Sequence, residues 1–115
     1  MNFANINDIS IHFNFINNGV NKPTVVFSNS LGTDFRIWES CVEYLSIDYS
    51  ILTYDKRGHG LSGLGNSPYV INDHVADLIG LMDHLKISEA VLVGLSVGGL
   101  VVQGVYHKRP DLVQG

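Results

Sequence analysis

Ala90-Val91-Leu92-Val93-Gly94-Leu95-Ser96-Val97-Gly98-Gly99-Leu100-Val101-Val102 is the stretch that decides the fold. It opens with a short continuous apolar run, the pattern of a strand covered on both faces of a parallel sheet. Apolar residues resume at Val97, Leu100, Val101, Val102 and Val105, which predicts a helix with little polar face, and hence a largely buried one. The helix is expected to start at Ser96 or Val97 and to run to about Lys108, where Arg109-Pro110 stops it. A glycine-flanked serine lies between the two elements.

That junction, Gly94-Leu95-Ser96-Val97-Gly98, fits G-x-S-x-G, and its strand–turn–helix setting is what a nucleophile elbow requires. Such a turn strains its central serine and lifts Oγ above the sheet, while the flanking glycines remove Cβ atoms that would collide. Gly99 reads as a further small residue where helix and strand cross closely. Ser96 is the candidate nucleophile. The competing reading is a turn that binds phosphate or merely packs. However, Ser96 stands where the second glycine of G-x-G-x-x-G should be, and G-x-x-x-x-G-K-[ST] is absent. An acyl-transfer serine also needs an oxyanion hole. One donor follows the nucleophile, the N–H of Val97, and the second comes from the loop after an earlier strand. That strand is Thr24 to Ser28 and the loop is Asn29-Ser30-Leu31-Gly32-Thr33, so the backbone N–H of Leu31 is the candidate, with Gly32 bending the loop.

Working outward, Thr24-Val25-Val26-Phe27 is a second buried-strand run, and Ser50 to Tyr54 a more mixed one. Ile9 to Phe15 alternates apolar and polar, the period of a half-buried strand, ended by Asn17-Asn18-Gly19. A shorter strand, Phe3 to Ile6, turned by Asn7-Asp8, completes an antiparallel hairpin at a sheet edge. One helix is expected from about Phe35 to Leu45 with Asp34 as N-cap. Another carries Val75, Leu78, Ile79, Met82 and Leu85 on one stripe, with Asp73 and Asp77 toward its N-terminal side. Strands alternating with helices at these lengths define an α/β class with a parallel sheet. With no repeat or linker, residues 1–115 read as part of a single domain.

Composition excludes several function classes. Of 115 residues, 45% are hydrophobic and 16% charged, with a net charge of −4 and no Lys/Arg run. Neither a nucleic-acid footprint nor an anionic-membrane patch is present. The stretch from Ala90 to Val102 is broken by glycine and serine and is shorter than the roughly 20 residues of a membrane span. The start, Met1-Asn2-Phe3-Ala4, lacks the basic and apolar blocks of a secretory signal, so a cytoplasmic protein is expected. Cys41, the single cysteine, recurs helically with Trp38, Val42 and Leu45 and reads as a small buried hydrophobe. His12, His74 and His84 lack metal-ligand spacing, so no metal is expected.

Further residues carry a family resemblance. Ser28-Asn29-Ser30-Leu31-Gly32-Thr33-Asp34 with Trp38 resembles the oxyanion-loop signature of the 3-oxoadipate enol-lactonases, members of the α/β-hydrolase superfamily. Tyr54-Asp55-Lys56-Arg57-Gly58-His59-Gly60-Leu61-Ser62 is similar to their D-x-R-G-H-G-x-S loop, and Pro68-Tyr69 and Gly94 to Gly99 also fit. Val97 stands where Met is common and Val70 where a capping Thr is frequent. The resemblance implies hydrolysis of a small carboxylated enol-lactone to 3-oxoadipate in the β-ketoadipate pathway of aromatic catabolism. Ser96 would attack, Leu31 and Val97 would hold the oxyanion, and a histidine oriented by an acid would take the proton. No organic cofactor is implied, and the partner is a small lactone or ester, not a nucleic acid or a membrane. A general carboxylesterase or a cofactor-free perhydrolase on the same fold is the alternative, as is a non-catalytic fragment.

Length is the main departure from the family pattern. In this fold the triad runs Ser, acid, His, yet nineteen residues follow Ser96, with Asp111 as their only acid. His107 lies over two turns along the helix that begins at the elbow. His59 reads as part of a structural loop, with Asp55 and Arg57 as mutual partners. The triad acid and histidine, the lid and the C-terminal strands are therefore expected beyond Gly115, leaving this chain as the N-terminal half of the fold. The Ala90 to Val93 strand would then be an unpaired apolar edge prone to self-association.

Overall fold

A computed structural model of the chain describes residues 2–19, 21–30, 32–63 and 69–115. Five strands form one sheet in the order β1-β2-β4-β3-β5, with β1 Asn2–Ile6, β2 Ile9–Ile16, β3 Thr24–Ser28, β4 Ser50–Tyr54 and β5 Val91–Gly94. The opening hairpin is antiparallel and lies at the sheet edge, pairing Ile6 with Ile9 and Asn2 with Phe13. Asn7 and Asp8 make its turn at φ 50° and 65°, a conformation these two residue types tolerate. β2 runs antiparallel to β4, whereas β3 pairs parallel with both β4 and β5.

The period-2 alternation of the parallel strands divides the interior in two. Val26, Leu52 and Tyr54 point toward helices α2 (Ile71–His84) and α3 (Val97–Lys108), joining Val75, Leu78, Leu81, Met82, Val101 and Val105 in the main core. Val25, Phe27 and Ile51 face the other way, onto Trp38, Val42 and Leu45 of the first helical segment. Gly104 lets α2 and α3 approach closely, since a Cβ there would lie 2.4 Å from Val75 Cγ2.

Four expectations are corrected. The predicted helix from Phe35 to Leu45 is a 3-10 turn, Phe35–Trp38, followed by α1, Glu39–Leu45. Asp34 does cap it, accepting from the Arg36 N–H, while the Phe35 N–H is drawn to Asp55 Oδ1, which winds this first turn tightly. The Arg36 guanidinium holds the Asp34 carboxyl down at about 2. Cys41 is exposed, because the inward face of α1 is set by Trp38, Val42 and Leu45, and Cys41 falls outside that arc. Nor is α3 largely buried: Leu100 is 54% and Tyr106 61% exposed. Its covered stripe is Gly98, Val101 and Val105, where it meets the sheet and α2.

Finally, β5 is not a bare edge. Val113 bridges Ala90 in parallel; the Ala90 N–H donates to Leu112 O, the Gln114 N–H to Ala90 O and the Leu92 N–H to Gly115 O, each at 2.8 Å. Residues 113–115 thus run alongside β5 and satisfy part of its edge. No helix among the described residues is long and apolar enough to cross a membrane.

Candidate active site

The three parallel strands end in three loops at one end of the sheet, the usual place for a site in an open α/β fold. β5 ends at the elbow. Ser96 has φ 57° and ψ −117°, a left-handed backbone that a non-glycine residue adopts only under constraint. Packing supplies that constraint. A Cβ on Gly94 would lie 2.4 Å from Gly98 O, and one on Gly98 would lie 2.0 Å from Ser28 O. The chain can therefore turn this tightly, and lie this close to the end of β3, only with glycine at both positions. The Leu95 N–H ties the turn to Ser28 O at 3.0 Å. Gly99 is not needed in the same way, contrary to the sequence reading: a Cβ there meets only Gly94 O, at an ordinary 3.9 Å.

Serine at a helix N-cap normally accepts a hydrogen bond from the first turn. Ser96 is the N-cap of α3 and its side chain makes no such bond. The Gly98 and Gly99 N–H groups go instead to the Leu95 and Ser96 carbonyls. Ser96 is exposed and its hydroxyl has no partner among the described residues, and the Val97 N–H beside it is the first of the helix's orphan donors. Together they place an exposed hydroxyl next to an N–H at a helix terminus, where negative charge is favoured.

β3 ends in the proposed oxyanion loop. Leu31 lies outside the described residues, as does Pro68. The residues around Leu31 are tightly stapled. Asn29 Nδ2 donates to Thr33 O at 2.9 Å and to Thr33 Oγ1 at 3.0 Å, and Thr33 Oγ1 donates to Ser30 O at 2.8 Å. Gly32 makes the bend at φ 74°. Beneath the strand end, Tyr54 OH and Ser28 Oγ are 2.9 Å apart, and burial pushes the Tyr54 phenol well above its ordinary pKa.

β4 ends in Asp55-Lys56-Arg57, whose side chains reach three different elements. The Asp55 carboxylate pairs with His12 Nδ1 at 2.8 Å and accepts from the Phe35 and Leu61 N–H groups at 2.9 and 3.1 Å. Gly60 is glycine because a Cβ would lie 2.3 Å from that carboxylate. Lys56 Nζ donates to Asn29 O at 2.6 Å and Ser30 O at 3.1 Å. Arg57 grips Asp77 of α2 with two bonds, 2.6 and 2.8 Å. Asp55 and Arg57 thus have separate partners, which corrects the expected mutual pair. His59 Nδ1 lies 3.1 Å from Arg57 O, consistent with a structural loop. His74, buried on α2, has its pKa lowered by burial and by the charge of Lys56. Sequence reasoning missed the buried His12–Asp55 pair and the reach of Lys56, since both join residues far apart in the chain.

A cleft of about 350 Å³ opens beside these loops, lined by His12, Asp34, Phe35, Arg36, Asp55, Gly60 and Leu61; Ser96 is not among its walls. Among the described residues no histidine hydrogen-bonds the Ser96 hydroxyl.

Strand order, elbow and loops define an α/β-hydrolase, and the sequence matches the family described as alpha/beta hydrolase fold over residues 23–115. The chain belongs to that family. Among curated relatives it is 42% identical over 90 residues to 3-oxoadipate enol-lactonase 2 of Acinetobacter baylyi, covering 78% of this chain and 34% of the relative. It is 40% identical over 94 residues to 3-oxoadipate enol-lactonase 1 of the same organism, covering 80% and 35%. The crystal structure of the enol-lactonase from Burkholderia xenovorans LB400 superposes with a TM-score of 0.92 at 39% identity, covering 97% of this chain and 44% of that one. The chain therefore spans about a third of the length of the curated relatives it matches.

Proposed function

We propose that this chain supplies the nucleophile and the oxyanion-binding part of an enzyme that hydrolyses an enol-lactone to 3-oxoadipate in cytoplasmic β-ketoadipate catabolism. The observation that carries the reading is Ser96, strained at φ 57°, exposed, and uncapped between two sterically obligatory glycines. Its Oγ attacks the lactone carbonyl as a histidine takes its proton. The tetrahedral oxyanion is held by the Val97 and Leu31 N–H groups, and collapse expels the ring oxygen, which the same histidine protonates. Water then attacks the acyl-enzyme by the reverse of these roles. The histidine and its orienting acid are assigned to the part of the relatives' length that this chain does not span. Support for an enol-lactone in particular comes from the enol-lactonase relatives and from the stapled Asn29–Thr33 loop.

A substrate panel on the full-length protein carrying this chain tests the assignment. The enol-lactone is expected to exceed p-nitrophenyl acetate by about a hundredfold or more in kcat/KM, the margin a site built for a polar substrate reaches. Equal rates on simple esters, or preferential peracid formation, would replace the substrate. In the same protein Leu31→Pro is expected to be far worse than Leu31→Ala, because proline removes the N–H that alanine keeps. The loss should be on the order of 10²–10³ in kcat, as for other single oxyanion donors. Equal losses in folded variants would mean that Leu31 acts through its side chain.

As part of a single larger domain, residues 1–115 expressed alone should self-associate and show no saturable lactone turnover. Val91 and Val93 are only half-buried, Leu95, Leu100 and Tyr106 are exposed, and residues 113–115 cover the β5 edge only in part. Size-exclusion chromatography with denaturant unfolding reads this directly. A monodisperse monomer with a cooperative transition of about 5–15 kcal/mol would show that the piece is a domain by itself.

A further inference from the structure

Lys56 is fully buried, yet both bonds its ammonium makes among the described residues go to backbone carbonyls, those of Asn29 and Ser30. The adjacent Asp55 carboxylate is occupied by His12, Phe35 and Leu61. A buried charge is costly unless it is paired, and neutral donors would serve two carbonyls at lower cost. The carbonyls it holds are not arbitrary. Asn29 O lies 3.1 Å from where a Gly98 Cβ would stand, and the neighbouring Ser28 O accepts from Leu95 of the elbow. The Ser28–Ser30 backbone is thus wedged between the elbow and a single cation.

We propose that Lys56 is a positioning residue for the oxyanion side of the site, holding the Asn29–Ser30 backbone against the elbow and placing a positive charge beneath the point where negative charge develops. The inference rests on the reading of Ser96 as nucleophile. Fixed positive charge in a dry site lowers the energy of an oxyanion without reorganising when the reaction occurs. Lys56 reaches the loop from the end of β4, so β3, β4 and β5 all contribute to one constellation.

Burial lowers the Lys56 pKa to about 8, opposed by the favourable charge of Asp55. The groups facing it are Asp55 beside it and His74 of α2, with Arg57, His59 and Asp77 around that histidine. The described residues of the oxyanion loop, Asn29, Ser30, Gly32 and Thr33, are all neutral. Because the pKa is lowered, the ammonium is present below about pH 8 and is lost as pH rises through that value.

The test uses the full-length protein with both enol-lactone and p-nitrophenyl acetate. Lys56→Met, which keeps most of the apolar stem and removes the ammonium, should lower kcat by about ten- to a hundredfold with KM nearly unchanged. It should also abolish the decline in rate above about pH 8 that the lysine imposes. Lys56→Arg, which keeps the charge, should recover much of kcat and carry no decline in that range. Lys56→Met with kcat within about threefold of the parent, or with an unchanged pH profile, overturns the proposal. So does an activity loss that merely follows the folded fraction seen by thermal unfolding. Failure of the underlying reading shows elsewhere, as activity surviving Ser96→Ala. Turnover of the ester but not the lactone would move the substrate and leave the lysine test to be read on the ester.

Discussion

Ser96→Ala is expected to lower the enol-lactone hydrolysis proposed for the full-length protein at least about a thousandfold and to leave its thermal unfolding almost unchanged. Both halves of that outcome follow from the elbow. The hydroxyl caps no helix and is exposed, so its removal forfeits neither a buried hydrogen bond nor a packed contact. The backbone strain at φ 57° is shared by serine and alanine, both having a Cβ, and cancels between them. What disappears is the atom proposed to form the acyl bond. Triad knockouts leave only the catalysis of binding and oxyanion stabilisation, which sets the residual rate. An alanine variant that is folded and retains more than about one part in a thousand of the rate would remove Ser96 from the chemistry. A variant that unfolds would instead show that the hydroxyl has a structural partner outside the described residues.

The parts of the fold legible in the sequence are those where one local signal dominates. Val25-Val26-Phe27 is apolar because both faces of the sheet are covered there, and β3 is found at the expected residues; Val91-Leu92-Val93 carries the same pattern but is only half-buried. β5 is shifted one residue on from its predicted start, with Ala90 instead bridging Val113. The α2 stripe was visible at Val75, Leu78 and Met82, although Leu81 is also fully buried and Leu85 only partly. The elbow was legible because sterics leave glycine little alternative at positions 94 and 98. What stayed hidden depends on partners far away in the chain. Apolar composition says that α3 needs cover but not how much of it the neighbours supply, so Leu100, read as covered, is exposed. The D-K-R-G-H-G-L-S stretch reads as one motif, yet Asp55, Lys56 and Arg57 act on the 3-10 turn, the loop after β3 and α2 in turn. No local pattern encodes that division. Half of the α2 start was legible too: Val70 has no oxygen with which to cap, and Asp73 Oδ2 accepts from the Val70 N–H to give one side of a capping box.

Gly98→Ala and Gly99→Ala, neighbours on the first turn of α3, are expected to have opposite effects on stability. Alanine is the better helix former at either position by about 0.5–1 kcal/mol, so propensity alone would favour both changes. At Gly99 the new methyl meets only Gly94 O at 3.9 Å, and the helical backbone carries no positive φ, so the propensity gain should be realised. At Gly98 the methyl would sit 2.0 Å from Ser28 O and 2.6 Å from Ser28 C. Those are backbone atoms at the end of a central strand, not the tip of a side chain that could swing away. Relief requires α3 to lift off β3, which breaks the Leu95 to Ser28 bond and displaces the Asn29 carbonyl that Lys56 holds. Overpacking of this kind ordinarily costs about 1–3 kcal/mol, and the loss of buried hydrogen bonds adds about 1–3 kcal/mol for each group left unpaired. Gly98→Ala should therefore lose at least about 3 kcal/mol in urea unfolding, together with nearly all activity. Gly99→Ala should gain up to about 1 kcal/mol and remain active. Equal and small changes for both would mean that the elbow has room for a Cβ at position 98. The strained serine would then have lost the contact that holds it.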